Sequence, residues 1–320
     1  MKKVIFRGVG TAIITPMLEN GAINYPVFEE LLEMQIDGGA DAVVVAGTTG
    51  ESATLTDEEH LELVRFAVEK VRGRIPVVAG AGSNNTAHAV YLSKRCEEAG
   101  ADALLHVTPY YNKASQQGLF LHFKTIAEAT ALPIILYNVP SRTGVNIYPA
   151  TYQTLSEIEN IVACKEASGN FSQMAKIANL CKDNLAIYSG NDDQITSAFA
   201  LGAQGVISVM SNLIPEETHK ICQAYFDGDR ETSDNLQMQV LDLIEALFID
   251  INPIPVKQAM RAMGYDVGKC RLPLCDLDPT NEEKLYQTLK SYSLLPQNVK
   301  AGSVTVHRAK HANGILRGNV

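Results

Sequence analysis

The sequence lacks the long apolar segments of membrane proteins and secreted precursors. No apolar run approaches the roughly 20 residues that span a bilayer, and the opening MKKVIFRGVG has no apolar core of a signal peptide. A basic surplus is also missing, because 27 lysines and arginines face 36 aspartates and glutamates. The net charge of −9 argues against nucleic acid as a partner. We expect neither a membrane nor a nucleic-acid partner.

Paired cysteines and metal-binding histidine patterns are missing as well. The six cysteines form no C-x-x-C pair, and the seven histidines form no H-E-x-x-H pattern. Scattered thiols are typical of reduced cytosolic proteins rather than of disulfide frameworks or zinc sites. We therefore expect a cytoplasmic protein without a metal centre.

A regular alternation of short apolar segments and amphipathic helical stretches fills most of the chain. The predicted strands are 10–15, 42–46, 75–80, 103–107, 133–137, 161–165, 185–189 and 205–209. Most of them are continuously apolar, which is typical of parallel strands that are covered on both faces. Between them, 25–37 has helical spacing, and Thr56 with Glu59 forms a capping-box pattern that opens a helix to about Val71. Helices are also predicted over 86–99 and 117–130.

Eight such units predict an α/β fold, a closed (β/α)8 TIM barrel over residues 1–225. An open doubly wound sheet is the alternative, and it is weaker because no G-x-G-x-x-G follows the first strand. Helical patterns at 233–248 and 255–263 predict a C-terminal helical domain over 226–295. The final segment, 296–320, ends in twenty residues without an acidic side chain. We interpret it as a tail that is disordered or left over from expression.

Polar residues gather where the predicted strands end. In a (β/α)8 barrel the C-terminal strand ends form one mouth, and the chemistry lies there. The segments at these ends are GTTGES (47–52), TPYYN (108–112), YNVPSRTG (137–144), Lys165 and SGNDD (189–193). Their hydroxyls, phenols, arginine and lysine are therefore predicted to converge.

Lys165 ends the apolar strand IVACK. Because successive side chains of a strand point to opposite faces, a Lys165 inside the barrel has Ala163 and Ile161 on its face. The residues that then face the helices are Val162, Cys164 and Glu166. Without a carboxylate partner in a low-dielectric wall, the pKa of the amine should fall, and a neutral lysine attacks carbonyl carbons to form a Schiff base. The alternative is a lysine that leaves the strand into solvent.

A Schiff-base lysine needs groups that move protons and seats for carboxylates. Tyr137, Thr48 and Tyr111 offer hydroxyls that form a relay without a competing charge. Thr48 and Thr49, flanked by glycines, offer hydroxyl and backbone N–H donors for one carboxylate. Arg142 can hold a second carboxylate bidentately. Taken singly, the glycine-rich turn, the tyrosine pair and the arginine could each be structural.

These residues together resemble the dihydrodipicolinate synthase family of Schiff-base-forming, pyruvate-dependent lyases. The resemblance covers about residues 7–295. The motifs that carry it are GTTGESATL (47–55), TPYYNK (108–113), YNVPSRTG (137–144), KEASGN (165–170), SGNDD (189–193), GVISV (205–209) and NPIPVK (252–257). N-acetylneuraminate lyase and 2-keto-3-deoxy-sugar-acid aldolases share the lysine and the Gly-Glu loop. The motif YNVPSRTG, with its arginine, resembles the synthase branch of this superfamily.

The resemblance implies that Lys165 condenses with pyruvate and that the enamine attacks L-aspartate-4-semialdehyde. No cofactor is implied, because the lysine imine supplies the chemistry. The relay is then Thr48, Tyr137 and a Tyr111 from the adjacent subunit, so that a dimer is needed and a homotetramer is usual. The residues implied in substrate binding are Thr49, Arg142, Gly190 and Ile207. The alternative for Gly190 is a purely conformational glycine.

The resemblance also implies an effector pocket for lysine at the dimer interface. Its positions in this chain are Ser52, Ala53, Asp57, His60, Asn84, His88 and Tyr110. Asp57 stands where lysine-inhibited members have a histidine, and His88 stands where they have a glutamate. Since a histidine cannot replace a glutamate that pairs with an ammonium group, weak or absent lysine inhibition is predicted. The alternative is that Asp57 replaces the lost negative charge.

Two other functions remain open from the sequence. One is a sugar-acid aldolase of the same superfamily, for which Arg142 has less use because its aldehyde is a polyol. The other is a non-catalytic barrel that binds keto acids as a sensor. A sensor needs no proton relay, so the set of Lys165, Tyr137, Tyr111 and Thr48 argues against it.

Overall fold

Eight parallel strands form a closed barrel in which β8 pairs back to β1. This is seen in a computed structural model that describes Lys2 and residues 4–302. The strands are β1 (Gly8–Ala12), β2 (Ala42–Val45), β3 (Val77–Gly80), β4 (Ala103–Val107), β5 (Ile134–Asn138), β6 (Ile161–Glu166), β7 (Ala186–Ser189) and β8 (Gly205–Ser208). The (β/α)8 barrel predicted from the sequence is confirmed, and the doubly wound alternative is wrong.

Helices cover the outside of the barrel and continue beyond it. In the described part of the chain they are α1 (Tyr25–Asp37), α2 (Asp57–Val71), α3 (Thr86–Glu98), α4 (Gln116–Ala127), α5 (Pro140–Thr143), α6 (Pro149–Leu155), α7 (Phe171–Cys181), α8 (Ile195–Ala200), α9 (Pro215–Phe226), α10 (Arg230–Gln239), α11 (Leu241–Leu247), α12 (Ile254–Ala262) and α13 (Pro279–Ser291). The capping box at the start of α2 is present: Thr56 accepts from the Glu59 N–H, and Glu59 accepts from the Thr56 N–H. None of the helices in this part of the chain is long and apolar enough to cross a bilayer.

The helix predicted over 233–248 is two helices, α10 and α11. They meet at Val240, which has φ −105° and ψ 2° and is fully buried. The Tyr292 hydroxyl donates to the Gln239 carbonyl at 2.6 Å, so a side chain from α13's end takes an acceptor that helix continuation would otherwise use. Helical periodicity alone does not reveal such a distant donor.

The alternation predicted along β6 is right near Lys165 and wrong at the start of the strand. Ala163 packs inside the barrel and Cys164 packs against the helices, as expected. Ile161, however, packs outside, and Val162 packs inside. A register irregularity causes this: Ile134 pairs with Ile161 while the next residue of β5 pairs with Ala163, so β6 contains one extra residue.

Aromatic residues fill the barrel at the end opposite its mouth. Phe6, just before β1, stacks on Tyr188 of β7 with ring centroids 4.2 Å apart. The Tyr188 hydroxyl donates to the Phe6 carbonyl at 2.8 Å. Gly10 leaves the space that the Phe6 ring needs, because a Cβ there would lie 2.6 Å from the ring. The lower interior is therefore closed by side chains.

The last barrel helix, α9, packs against β1, and the helices α11 and α12 pack on α13. The domain division after residue 225 stays a prediction. Of the predicted tail, residues 296–302 are described, and Val299 packs into the main core. Residues 303–320 lie outside the described part of the chain.

Candidate active site

Lys165 lies inside the barrel on β6 and is only 6% exposed. Its Nζ is 4.4 Å from the centre of the Tyr137 ring, on the neighbouring strand β5. None of the ion pairs in the described part of the chain involves Lys165. The amine therefore lies beside an aromatic ring and has no salt-bridge partner in this part of the chain, although the buried carboxyl of Asp192 is near enough to interact with its charge.

Glu166, the next residue, faces the other way, as the sequence predicts. Its carboxylate accepts hydrogen bonds from the Asn138 amide at 3.1 Å, the Ser168 N–H at 2.8 Å and the Tyr152 hydroxyl at 3.3 Å. Burial and this carboxylate raise the pKa of Tyr152. The charge of Glu166 is therefore used between the barrel and its helices, away from Lys165.

Glycine is required beside the lysine. A Cβ at Gly190 would lie 2.5 Å from the Ala167 Cβ and 3.1 Å from the Lys165 Cε. Any side chain there would push into the space of the lysine stem. Ile207 on β8 is fully buried and belongs to the same inner cluster as Tyr137. The structure thus brings these two predicted residues to the interior that Lys165 occupies.

Asp192 holds the backbone that follows β8 by hydrogen bonds. It is fully buried, and its Oδ2 accepts from the N–H groups of Val209 and Met210, each at 2.9 Å. Burial raises the pKa of this carboxyl, while the Ser208 hydroxyl, those two N–H groups and the charge of Lys165 oppose the shift. The segment after Ile207 is thereby held in one conformation.

The two threonines after β2 differ in their surroundings. Thr49 is buried and accepts a hydrogen bond from the Asn252 amide at 2.9 Å. Thr48 is half-buried, and its hydroxyl makes no hydrogen bond to another described residue. The Tyr137 hydroxyl likewise has no partner among the described residues. The predicted link between Thr48 and Tyr137 is therefore not made in the isolated chain.

Arg142 lies on the short helix α5 and is exposed to solvent. One of its nitrogens, Nη2, donates to the Asn252 backbone carbonyl at 3.2 Å. The other N–H groups of the guanidinium make no hydrogen bond to the described residues. Asn252 therefore contacts both Thr49 and Arg142, the two side chains predicted to hold carboxylates.

Tyr111 points away from its own barrel. It is 90% exposed and has a positive φ of 70°, which is unusual for a tyrosine. Hydrogen bonds fix the loop around it: the Asn84 amide donates to the Tyr110 carbonyl at 3.1 Å, and the Asn112 amide donates to the Asn84 carbonyl at 2.9 Å. A strained, well-fixed loop thus presents a phenol outward, and the structure does not bring Tyr111 to Lys165 of the same chain.

The GTTGES loop is held in place by contacts with α12 and the segment that follows it. Glu51, at φ 58°, forms a 2.7 Å ion pair with Lys257 of α12, and both side chains are at most 2% exposed. The other oxygen of Glu51 accepts from the Arg271 N–H at 2.8 Å. The Arg271 guanidinium reaches both oxygens of Glu59 in α2. The loop with the threonines therefore depends on residues more than 200 positions away.

The positions of the implied effector pocket lie together near the start of α2 and α3. Asp57 and His88, the two positions that depart from the family pattern, pair with each other at 3.0 Å. Burial lowers the pKa of the neighbouring His60. Ser52, Ala53, Asn84 and Tyr110 are half-buried or exposed in the single chain.

Sequence reasoning missed Asn252, Glu51 and Lys257 as residues that shape the site. The rule that led to the other residues looks only at strand ends, and Asn252 and Lys257 follow the last strand by more than 40 positions. The motif NPIPVK contains both of them, and it was the available signal. Its proline-rich start and buried lysine indicate a fixed segment, but not the loop that it contacts.

Comparisons with known proteins agree with this geometry. The model of the Dihydrodipicolinate synthetase family matches residues 5–292. The 4-hydroxy-tetrahydrodipicolinate synthase of Acetivibrio thermocellus is 55% identical over 295 residues, which cover 92% of this chain and all of that protein. The crystal structure of dihydrodipicolinate synthase from Thermotoga maritima has a TM-score of 0.89 and 42% identity, covering 91% of this chain and all of that one. The enzyme from Cyanidioschyzon merolae, crystallised with lysine bound, has a TM-score of 0.89 and 43% identity, covering 92% and 100%.

Proposed function

Because the chain belongs to the dihydrodipicolinate synthetase family, we propose that it is the lyase that condenses pyruvate with L-aspartate-4-semialdehyde. The product is (4S)-4-hydroxy-2,3,4,5-tetrahydrodipicolinate, and the reaction is the first committed step of lysine biosynthesis via diaminopimelate. One observation carries the mechanism. The Lys165 amine is buried in the barrel beside Tyr137, with no ion pair among the described residues.

The covalent steps follow from this amine. Lys165 Nζ adds to the keto carbon of pyruvate, and the carbonyl oxygen leaves as water to give a protonated imine. Loss of a methyl proton gives the enamine, whose carbon attacks the aldehyde while the aldehyde oxygen takes up a proton. The amine of the second substrate then adds to the imine carbon, closes the ring and releases Lys165. No cofactor is needed in this scheme, because the imine nitrogen accepts the electron pair.

The protons in these steps pass through hydroxyls. The Tyr137 ring centre lies 4.4 Å from the Lys165 amine, and Thr48 follows β2 at the mouth of the same barrel. Tyr111 of a neighbouring subunit completes the relay, a role supported by its exposure and its fixed loop. The active unit is then at least a dimer, and a homotetramer in the cytoplasm is the expected assembly. Phenols and hydroxyls move protons without placing a second charge beside the imine.

The two substrates are both anions, and the site offers a different seat for each. Thr49, together with the backbone near Gly190 and Ile207, seats the pyruvate carboxylate close to Lys165. Arg142 is further out and receives the carboxylate of the semialdehyde through its free N–H groups. An arginine at this place favours the synthase over the sugar-acid aldolases, whose aldehyde substrate has hydroxyls there.

Inhibition by lysine is proposed to be weak or absent. A free glutamate at the effector pocket would pair with an ammonium group, but position 88 is a histidine here. Asp57 could replace that charge only if it were free, and it is paired with His88 at 3.0 Å. A lysine effector would therefore have to break this pair before it gained a carboxylate.

Trapping of the imine tests the function. We expect borohydride with pyruvate to leave a reduced adduct on Lys165, located by mass spectrometry of the digested protein. The Lys165→Ala variant should give no adduct and lose nearly all turnover, whereas Lys176, an exposed-helix lysine of α7, should remain unmodified. A coupled assay with L-aspartate-4-semialdehyde then separates the synthase from the aldolases. An adduct elsewhere, or turnover only with sugar-derived aldehydes, would overturn the proposal.

A further inference from the structure

Asn252 makes contacts that no strand-end residue makes. It follows α11, and it is 5% exposed. Its side-chain Nδ2 donates to the Thr49 hydroxyl oxygen at 2.9 Å, and its backbone carbonyl accepts from Arg142 Nη2 at 3.2 Å. One residue of the C-terminal helical region thus contacts the side chains at both proposed carboxylate seats.

We propose that Asn252 is a positioning residue that makes the Thr49 hydroxyl a hydrogen-bond donor to the carboxylate of pyruvate. A threonine hydroxyl has one hydrogen to donate and two lone pairs that accept, so toward any one neighbour it acts either as donor or as acceptor. Because the Asn252 amide already donates to Thr49 Oγ1, the Thr49 hydrogen is directed to another acceptor. A carboxylate is an acceptor only, so it matches the hydroxyl in this orientation. This inference rests on the proposed function, because it takes pyruvate as the first substrate.

The remaining oxygen of Asn252 supports this assignment. Oδ1 is buried and has no hydrogen-bond partner in the described part of the chain. An unsatisfied buried acceptor is costly, and a bound substrate or water with a donor group would remove this cost. The donor end of the amide is the end in contact with Thr49. The contact with Thr49 is therefore the one side-chain hydrogen bond of Asn252 in the described part of the chain.

The two contacts of Asn252 have different chemistry, and this predicts a separation of effects. The contact with Thr49 comes from the side chain, so a substitution removes it. The contact with Arg142 comes from the backbone carbonyl, so a substitution keeps it. A substitution at position 252 should therefore weaken the binding of pyruvate much more than the binding of the semialdehyde.

Pyruvate half-saturation is measured by the rate of borohydride trapping on Lys165, which does not use the second substrate. We expect Asn252→Ala to raise the half-saturating pyruvate concentration about tenfold. Asn252→Asp should raise it further, about a hundredfold, because a carboxylate accepts the Thr49 hydrogen and also repels the pyruvate carboxylate. The KM for the semialdehyde should change less than about threefold in Asn252→Ala, whereas Arg142→Ala should raise that KM and leave pyruvate trapping unchanged.

A double-mutant cycle separates the hydroxyl effect from simple charge repulsion. Thr49→Val removes the hydroxyl, and the Asn252→Ala change should then have little further effect on pyruvate trapping. Thr49→Ser keeps the hydroxyl and should keep the full effect of the Asn252 substitutions. Within the Thr49→Val background, any extra loss in Asn252→Asp measures repulsion alone, and it should be smaller than in the presence of Thr49.

Three outcomes would overturn the proposal. A lower half-saturating pyruvate concentration in Asn252→Asp than in Asn252→Ala would mean that the side chain at position 252 accepts a hydrogen bond from Thr49. Independent, multiplying effects of Thr49→Val and Asn252→Ala would mean that the two side chains are not coupled. Equal increases for both substrates would mean that Asn252 only supports the loop. Absence of trapping in the unmodified protein would instead refute the proposed function, so the two failures are distinguishable.

Discussion

Two buried lysines of this chain have opposite surroundings. Lys257 is fully buried and paired with Glu51 at 2.7 Å, and it also donates to the Lys269 carbonyl at 2.9 Å. Lys165 is buried to a similar degree without an ion pair among the described residues. A buried charge that is held in a salt bridge is fixed and unreactive, whereas an amine without a salt bridge is free to react. Partners, more than burial, distinguish the structural lysine from the chemical one.

Breaking the pair of Glu51 and Lys257 should destabilise the protein and the threonine loop together. Lys257→Met leaves the Glu51 carboxylate buried without its cation, and we expect a loss of about 3–5 kcal/mol in the free energy of unfolding. Thermal melting checks this as a clear fall in Tm. The double variant Glu51→Met with Lys257→Met should recover much of that loss, because no buried charge remains. A double variant that melts below both single variants would contradict this.

At the residue scale, the sequence predicts the reactive and substrate-binding residues better than the residues that hold them in place. Strand-end position predicts Lys165, Tyr137 and Thr49 as site residues, because the C-terminal strand ends meet at one mouth. Glu51 and Lys257 were not predicted as a pair, because nothing local connects two residues 206 positions apart. Contacts of this kind depend on where the C-terminal helices return to the barrel, and hydrophobic periodicity does not contain that information.

At the element scale, α3 packs on β4 and on α4, and each contact includes a buried histidine. His106 of β4 lies 3.2 Å from the Ser93 hydroxyl, and His122 of α4 lies 2.9 Å from the Thr86 hydroxyl. Burial lowers the pKa of His106 to about 3, with a further contribution from His122. Burial also lowers the pKa of His122 to about 4. Both rings are therefore neutral in the folded protein at any pH above these values.

This packing should make the protein sensitive to mild acid. In the unfolded chain a histidine takes up a proton near pH 6.5, while the folded protein does not, so stability falls as the pH drops from about 6.5 toward 4. Each histidine contributes a slope of up to about 1.4 kcal/mol per pH unit. Measured between pH 7.5 and 5, the fall in Tm should be smaller in His106→Gln and His122→Gln than in the unmodified protein. An unchanged fall in both variants would refute this origin.

The pair between α2 and α3 gives a second prediction at this scale. We expect L-lysine titrated into the coupled assay to cause no inhibition at sub-millimolar concentration, because Asp57 is already paired with His88. The variant Asp57→His with His88→Glu restores the residue types of lysine-inhibited members, and it should gain inhibition. Strong inhibition of the unmodified protein by lysine would contradict the prediction.

Sequence patterns predict the helices and strands well and their irregularities poorly. The start of α2 follows from Thr56 and Glu59, and its bounds match the structure. The extra residue in β6 was not foreseen, because Ile161 and Val162 are equally apolar and the alternation rule has no means of placing a bulge. The fault is confined to the start of the strand, so the prediction for Lys165 was unaffected.

At the scale of the whole molecule, the outward position of Tyr111 predicts sites shared between subunits. The variants Tyr111→Phe and Lys165→Ala should each be nearly inactive alone. They can be co-expressed with two different affinity tags, and mixed dimers can be purified by using both tags in succession. In a mixed dimer one site has an intact Lys165 from one chain and an intact Tyr111 from the other. We therefore expect about half of the activity of the unmodified dimer.

Activity within a single chain would give a different result. If Tyr111 served its own barrel, no site of the mixed dimer would be complete, and its activity would stay at the level of the two parents. A mixed dimer of Lys165→Ala with the unmodified chain is the control, since it has one complete site under either arrangement.

The stacked rings of Phe6 and Tyr188 close one end of the barrel, and this limits traffic through the protein. Since these rings occupy the axis at that end in the described part of the chain, substrates and product share the mouth at the C-terminal ends of the strands. A finished product therefore stands between the solvent and the amine, and the next keto acid waits until it has gone. Product release and pyruvate binding use the same barrel mouth, so a product that is released slowly would compete with pyruvate.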